Sequence, residues 1–208
     1  MKLQIIPVTP LEQNCSLLIC EETQEAVIVD PGGDPEKIQQ EVARLGVKPV
    51  QLLITHGHFD HAGAAAELTE IWEVPVAGPH EEDAFLLEEI PEWSARYGLN
   101  GRVVTPDRWL KQGDAITFGK EQLEVHHTPG HTPGHVIFLH VEGRLACVGD
   151  VLFKGSIGRT DFPRSDHQAL LNSINRGLFP LGEDIHFVPG HGPMSTFGQE
   201  MISNPFIH

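Results

Sequence analysis

The sequence predicts an α/β protein in which strands and helices alternate along the whole chain. The chain has 208 residues, of which 40% are hydrophobic, and this is enough to bury one substantial core. Apolar runs rich in strand formers alternate with segments of helical periodicity, and Gly or Pro occurs at almost every junction. No linker, low-complexity segment or internal repeat interrupts this order. We therefore expect a single layered domain over residues 1–208.

The individual elements follow in order from the N-terminus. A helix is predicted near 35–45, because Asp34 is a suitable N-cap, Pro35 fits the first helical position and Gly46 follows the end. Further helices are predicted near 64–72, 81–97 and 166–178. Strands are predicted near 3–8, 15–20, 26–30, 50–55, 74–77, 115–118, 122–127, 135–140, 144–149 and 186–188.

The composition limits the possible partners. The net charge of −15 argues against nucleic acid or an anionic membrane, because both bind basic surfaces. The N-terminus has no long apolar segment, and no run of 18 apolar residues occurs. We expect a cytoplasmic protein that acts on a small molecule as a monomer or a small homo-oligomer. Cys15, Cys20 and Cys147 form no C-x-x-C motif, which indicates reduced core cysteines.

Histidine is frequent in this chain, with 13 residues, and the densest group is His56, His58 and His61, together with Asp60. Neutral imidazole and carboxylate are the usual ligands of a catalytic zinc or a related transition ion. A predicted strand precedes the group and a predicted helix follows it, so His56 and His58 lie on one side of an extended segment. Asp60 and His61 are adjacent and point differently, as ligands of two different ions would. A single histidine is more often an ordinary polar residue, but this density indicates a metal site.

Three more candidate ligands follow predicted strands. His131 lies in a Pro/Gly-rich turn, Asp150 ends an apolar strand, and His191 lies in the turn after the last strand. Taken alone, each could be an ordinary turn or capping residue. Together with the first group they provide five histidines and two aspartates, which is enough for two metal ions that share one carboxylate.

This constellation resembles the metallo-β-lactamase superfamily, and the match extends over nearly the whole chain. The first motif of the superfamily is present as His56-x-His58-x-Asp60-His61, and the later ligand positions and the aspartate that ends an early strand are also present. The resemblance implies a four-layer αβ/βα sandwich with the metal ions at one edge, between two sheets. The residues that match the later ligand positions and the early aspartate are His131, Asp150, His191 and Asp30.

The same resemblance implies how the ligands are shared between two divalent metal ions. His135 lies four residues after His131 and is expected to support the site without binding metal, because four protein ligands would close a zinc site. Zinc is the expected metal, with iron or manganese as alternatives. One ion is expected on His56, His58 and His131, the other on Asp60, His61 and His191, with Asp150 bridging them.

Within the superfamily, the chain is most similar to the type II glyoxalases, or hydroxyacylglutathione hydrolases, in their short bacterial form. The segments 128–135, 149–161 and 189–193 carry this similarity, and only 17 residues follow His191, so the C-terminal helical substrate domain of the long forms is not expected. The implied reaction is hydrolysis of a glutathione thioester such as S-lactoylglutathione. A hydroxide shared by the two metals would attack the thioester carbonyl, with Asp60 and Asp150 as catalytic residues that orient the water. Serine catalysis is not expected, because the G-x-S-x-G motif is missing.

Basic residues after Asp150 suggest where the substrate binds. Lys154 and Arg159 could bind the carboxylates of a glutathione-like group, and the resemblance places a basic glutathione-binding residue at Arg159. The alternative is a solvated loop in which these cations pair with neighbouring acids such as Asp161.

Two other functions remain open. The segment 158–162 also resembles persulfide dioxygenases, which hold one iron with two histidines and one aspartate. His135 and the Pro-Gly-His-Gly-Pro turn at 189–193 favour the hydrolase. The dioxygenases commonly carry a cysteine at the position of His135, and their final histidine turn has a different sequence. A non-catalytic metal-binding module is the third hypothesis. Its expected mark is a missing ligand, and no ligand is missing.

Overall fold

The first of two stacked β-sheets is built by the N-terminal part of the chain. The computed structural model describes residues 1–207. The first three strands of this sheet are antiparallel neighbours, whereas the next two join in parallel. In sheet order the strands are β1 (Lys2–Val8), β2 (Gln13–Ile19), β3 (Glu25–Val29), β4 (Lys48–Leu53) and β5 (Val76–Ala77).

The second sheet is built by the C-terminal part. Its strands are β6 (Ala115–Phe118), β7 (Glu121–His127), β8 (Val136–His140), β9 (Leu145–Gly149), β12 (His186–Pro189) and β13 (Ser195–Thr196), with the separate hairpin β10 (Leu152–Phe153) and β11 (Ser156–Ile157) inserted after β9. The strand order is β13-β12-β9-β8-β7-β6. The pair β9 and β12 is parallel and the other pairs of this sheet are antiparallel.

Within residues 1–207, six α-helices accompany the sheets. They are α1 (Pro35–Leu45), α2 (Phe59–Ala62), α3 (Ala65–Trp72), α4 (Ala84–Arg96), α5 (His167–Asn172) and α6 (Phe197–Ser203). As the sequence predicts, α1 has Pro35 at its start and Gly46 at its end, where φ is +67°. Asp34 is the N-cap residue, as predicted, but its side chain makes no capping hydrogen bond, because the carboxylate accepts a hydrogen bond from the backbone N–H of Thr9 at 2.8 Å instead.

Three apolar clusters show that the fold has four layers. The cluster between the two sheets contains Leu18 and Leu53 from one sheet and Phe138 and Val188 from the other. The outer face of the first sheet packs against α1, α3 and α4, and the outer face of the second sheet packs against α5 and α6. The expected αβ/βα sandwich is therefore confirmed. Representative residues of the two outer clusters are Ile38, Leu52, Leu68, Ile90, Ile137, Leu170, Phe187 and Phe197.

The predicted elements are found with a few differences. The helix expected at 166–178 is split, because α5 ends at Asn172 and continues as a π-helix over Ser173–Leu178. The hairpin β10–β11, strand β13 and helix α6 were not predicted from the sequence, since short elements lack a measurable periodicity. Within residues 1–207, no helix is long and apolar enough to span a membrane. The three cysteines are free and buried, as expected.

Candidate metal centre

The seven candidate ligands come together at one edge of the sandwich. Four of them follow β4, in the loop that leads into α2 and in α2 itself. The others follow β7, β9 and β12. Because these loops meet at the same edge, the geometry brings together every metal ligand that the sequence predicts. Two separate groups form, His56 with His58 and His131, and Asp60 with His61 and His191.

The first group consists of three imidazole rings whose nitrogens converge. Nδ1 of His58 lies 3.0 Å from Nε2 of His56 and 3.1 Å from Nε2 of His131. The ring planes are nearly perpendicular, at 82°, 80° and 83° to one another. A tetrahedral zinc with nitrogens at about 2.0–2.1 Å holds them about 3.3 Å apart. The three lone pairs can therefore point at one ion.

Hydrogen bonds to backbone carbonyls set the tautomer of two candidate ligands. Nδ1 of His131 lies 2.8 Å from the carbonyl oxygen of Arg159, and Nδ1 of His191 lies 3.0 Å from that of Leu11. A carbonyl can only accept, so the proton lies on Nδ1 in each ring and Nε2 keeps its lone pair. This arrangement is typical of histidines that bind metal through Nε2.

The carboxylate of Asp30 orients the ring of His61, as the backbone carbonyls orient His131 and His191. Oδ2 of Asp30 lies 2.9 Å from Nδ1 of this ring. Asp30 is itself held by Thr55, whose backbone N–H and hydroxyl both donate to it at 2.7 Å. The early strand-end aspartate therefore orients a ligand from behind and leaves Nε2 of His61 facing the second group.

Asp150 lies between the two groups. Its Oδ2 is 3.7 Å from Nε2 of His131, and its Oδ1 is 3.4 Å from Nε2 of His61. Asp60 completes the second group, with Oδ2 3.2 Å from Nε2 of His191. Within residues 1–207, His61 Nε2 and Asp150 Oδ1 are buried atoms that have no hydrogen-bond partner. Buried polar atoms normally have partners, so these two atoms fit a metal ion that would lie between them.

The electrostatics differ between the candidate ligands of the two groups. Burial lowers the pKa of His56 well below its ordinary value and lowers the pKa of His58 to about 3. Burial also lowers the pKa of His61, but the Asp150 and Asp30 carboxylates outweigh it and raise that pKa. Burial raises the pKa of Asp150, yet the neighbouring His61 outweighs it and holds that pKa well below the ordinary range. At neutral pH the His56 and His58 imidazoles are therefore neutral and Asp150 is ionised, whereas His61 favours its protonated form and would have to release a proton to bind a metal.

His135 supports the centre from behind, as the sequence predicts. Its Nε2 accepts a hydrogen bond from the backbone N–H of Asp150 at 3.1 Å, and its Nδ1 lies 3.3 Å from the hydroxyl of Thr128. The ring stacks on His56 with an interplanar angle of 18°. Both nitrogens are therefore used, and neither is directed at the first group.

Asp83 is a supporting residue that sequence reasoning missed. Its buried carboxylate accepts hydrogen bonds from the N–H of Gly57 at 3.0 Å, the hydroxyl of Thr132 at 2.7 Å and the N–H of Gly134 at 2.6 Å. Burial raises the pKa of this carboxyl to about 6. Asp83 thereby joins the loop that carries His56 and the loop that carries His131. No sequence signal marks this role, because an aspartate before a helix looks like an ordinary cap.

A further group, His80, Glu82 and His127, has its ligand atoms close together but a different ring geometry. The His80 and His127 rings are stacked, with centroids 4.5 Å apart and an interplanar angle of 18°. Nearly parallel rings direct their in-plane lone pairs side by side, so the lone pairs do not meet at one ion. Nε2 of His127 is also 2.9 Å from the carbonyl oxygen of Pro133. This group therefore lacks the convergence that the first group has.

A cleft of about 360 Å³ opens over the metal groups. Arg159 lines it and forms a two-pronged ion pair with Asp161, at 2.9 and 2.7 Å. Lys154 lies elsewhere, in the turn of the β10–β11 hairpin, where it lines a different cavity beside α6. The structure therefore does not bring the two predicted substrate-binding cations together. The cleft is lined by Leu11, Gly57, His58, Phe59, Asp60, Leu86, Glu89, Trp93, Tyr97, His131, Asp150, Phe153, Arg159, Phe162, Pro163 and His191.

Comparison with known proteins gives consistent relatives. Residues 8–191 match the family described as the metallo-beta-lactamase superfamily. Hydroxyacylglutathione hydrolase GloC of Haemophilus influenzae is 47% identical over 100% of this chain and 99% of its own. The probable metallo-hydrolase YqgX of Bacillus subtilis is 36% identical over 100% of this chain and 98% of its own.

Solved structures agree with these relatives. The BLEG-1 B3 metallo-β-lactamase superposes with a TM-score of 0.91 at 38% identity, covering 99% of both chains. TTHA1623 in a di-iron-bound form superposes with a TM-score of 0.89 at 39% identity, covering 98% of this chain and 99% of its own. ETHE1 from Myxococcus xanthus superposes with a TM-score of 0.82 at 25% identity, covering 99% of this chain and 84% of its own. With this fold, this ligand set and a match over residues 8–191, the chain belongs to the metallo-β-lactamase superfamily.

Proposed function

We propose that this protein is a dinuclear metallohydrolase that cleaves glutathione thioesters. The observation that carries the proposal is the completeness of the second group, in which Asp60, His61 and His191 converge beside Asp150. The unpartnered His61 Nε2 and Asp150 Oδ1 support a second ion. Zinc is the first candidate, with iron or manganese as alternatives, and the di-iron form of TTHA1623 is consistent with iron.

The protein residues have separate tasks in the proposed reaction. Metal ions held by the two groups would lower the pKa of a bound water and so would supply hydroxide at neutral pH. The carboxylates of Asp60 and Asp150 would accept hydrogen bonds from that water and would set its direction of attack. The thiolate of a thioester leaves readily, so no strong general acid is needed. Asp30, Asp83 and His135 keep the ligands and their loops in place.

The identity of the thiol carrier is supported by one relative and one side chain. GloC of Haemophilus influenzae is named a hydroxyacylglutathione hydrolase and matches this chain over its full length. Arg159 is the cation on the cleft that could bind a glutathione carboxylate. We further propose a single cytoplasmic domain without nucleic-acid or membrane partners, as a monomer or small homo-oligomer, consistent with the net charge of −15.

The iron-dependent persulfide dioxygenase is the alternative. It would need one ion on two histidines and one aspartate, with open positions for oxygen and persulfide. Under that hypothesis Asp60 and His191 would have no metal to bind. Their short approach, 3.2 Å, beside His61 favours the hydrolase. A non-catalytic module is disfavoured because a cleft opens directly over both groups.

The experiment pairs metal analysis with two assays. Wild-type protein and a His191→Ala variant are loaded with zinc or iron, and metal content, hydrolysis of S-lactoylglutathione and oxygen consumption with glutathione persulfide are measured. We expect two ions per chain, thioester hydrolysis and no oxygen consumption, with the second ion lost in the variant. One iron per chain in both proteins, together with persulfide-dependent oxygen consumption and no thioester cleavage, would establish the dioxygenase instead.

A further inference from the structure

The walls of the cleft above the metal groups are mainly apolar. Apart from the candidate metal ligands, Glu89 and Arg159 are its charged lining residues among those that the structure describes, 1–207. We refer to Phe59, Leu86, Trp93 and Tyr97 together as the apolar wall; Phe153, Phe162, Pro163 and Leu11 also line the cleft.

The exposed part of the apolar wall lies toward the C-terminal end of α4, because Leu86 is only 7% exposed. Leu86 and Trp93 are seven residues apart on α4 and Tyr97 follows four residues later, so these side chains lie along one face of the helix. Phe59 of α2 extends this surface, because its ring stacks on Tyr97 with centroids 4.9 Å apart and an angle of 28°. Tyr97 is 52% exposed although it is large and aromatic. An exposed apolar surface that lines a concave site is typical of ligand binding.

Apart from the candidate metal ligands, the two charged groups at the cleft, Glu89 and Arg159, already have partners. The indole N–H of Trp93 donates to the carboxylate of Glu89 at 3.0 Å. The guanidinium of Arg159 donates to both carboxylate oxygens of Asp161, and its carbon lies 4.6 Å from the ring centre of Phe162. Arg159, which is already paired, can contribute little to the binding of glutathione, a thiol carrier with two carboxylates. Among the lining groups other than the candidate metal ligands, apolar contact is therefore the main remaining source of binding free energy.

We infer that the apolar wall binds the acyl group, and that the preferred substrates are thioesters with an uncharged aliphatic acyl chain of four to six carbons. This inference rests on the proposed thioester hydrolysis and specifies its substrate class. A lactoyl group offers one methyl and a hydroxyl to the wall, whereas a hexanoyl chain is long enough to reach from Trp93 to Tyr97, which lie four residues, or about 6 Å, apart along the helix. Each buried methylene should raise kcat/KM about three- to fourfold. Glu89 should disfavour an acyl group that carries its own carboxylate.

The test is a substrate series on the metal-loaded enzyme. The values of kcat/KM are measured for the S-acetyl, S-butyryl, S-hexanoyl, S-succinyl and S-lactoyl thioesters of glutathione. We expect an increase with chain length, with hexanoyl at least about tenfold above lactoyl and succinyl well below butyryl. Values that stay equal or fall from acetyl to hexanoyl, with all thioesters hydrolysed, would overturn the inference and leave the proposed function intact.

Variants show whether the wall causes the preference. Trp93→Ala and Tyr97→Ala should each reduce the ratio of the hexanoyl to the acetyl rate by about three- to tenfold. The matched control is Phe206→Ala, because Phe206 is 53% exposed but does not line the cleft. A control that reduces the ratio as much as the cleft variants would also overturn the inference.

A binding measurement separates the inference from the proposed function. S-methylglutathione and S-hexylglutathione are titrated onto the metal-loaded enzyme, and the dissociation constants are determined by calorimetry. If no thioester is cleaved but S-hexylglutathione binds at least about tenfold more tightly in a Trp93-dependent manner, the wall has the inferred role and thioester hydrolysis is wrong. If neither cleavage nor a difference in binding is found, both are wrong.

Discussion

The side chain of His135 contacts the backbone of Asp150: its Nε2 accepts a hydrogen bond from the N–H of Asp150 at 3.1 Å. The side chain of the same aspartate lies between the two metal groups. The histidine therefore positions the backbone from which the proposed bridging carboxylate projects. The two residues thus have different tasks. Asp150 would contact the metals, whereas His135 contacts Asp150 only at its backbone.

This difference predicts that Asp150→Ala is the more damaging change. His135→Ala should reduce activity about 10–100-fold, as is usual when a group that supports a ligand is lost. Asp150→Ala should reduce activity further and should reduce the content of both metals. Turnover and metal content are measured for both variants, with His140→Ala as a control for the loss of a buried histidine. A larger rate loss in His135→Ala at equal metal content would contradict the assignment.

Asp83 is expected to control how long the metals stay bound. Asp83→Asn places an N–H₂ group among three donors, from Gly57, Thr132 and Gly134, and should loosen both ligand loops. Loss of metal to a chelator should become about 10–100-fold faster.

Glu200→Gln is the matched control for Asp83→Asn. Glu200 is also buried and also accepts three hydrogen bonds, but from groups outside the metal loops. Equal rates of metal loss in the two variants would show that Asp83 has only a general structural role.

Arg159→Ala should weaken substrate binding more than it slows the chemical step. The guanidinium is exposed and already paired with Asp161, so its contribution is modest. We expect KM to rise about two- to fivefold with kcat nearly unchanged. Arg102→Ala is the control, because Arg102 forms an equally exposed two-pronged pair with Glu70. A fall in kcat with constant KM would instead place Arg159 in the chemistry.

The metal-free protein should lose stability as the pH falls from about 6.5 toward 3. In the unfolded chain an imidazole has a pKa of about 6.5, whereas burial lowers the pKa of His58 to about 3 and that of His56 well below normal. The unfolded state thus binds more protons in this window, and protonation favours unfolding. Urea midpoints at pH 7.5 and 5 test this. His58→Gln should show a weaker dependence on pH, and an unchanged dependence would refute this cause.

The sequence, through its resemblance to a known family, was sufficient to predict the four layers, and it identified the seven side chains that the fold brings together. Ligands at strand ends need only local patterns to be recognised, and His56, Asp150 and His191 all follow predicted strands. Asp83 could not be recognised, because its partners come from two loops that only the tertiary fold brings together. The apolar wall was missed for a similar reason. Trp93 and Tyr97 lie in an acidic helical segment, and nothing in that segment shows which face of the helix meets the cleft.

The ligand loops belong to both sheets, and this has a consequence for unfolding. Each metal group takes two residues from the loop after β4 in the first sheet and one from the second sheet. Neither sheet alone can complete a coordination sphere. A coloured ion such as cobalt in this centre would therefore act as an optical probe of the contact between the two halves, and its absorption should disappear as soon as the halves separate, while each sheet is still hydrogen-bonded.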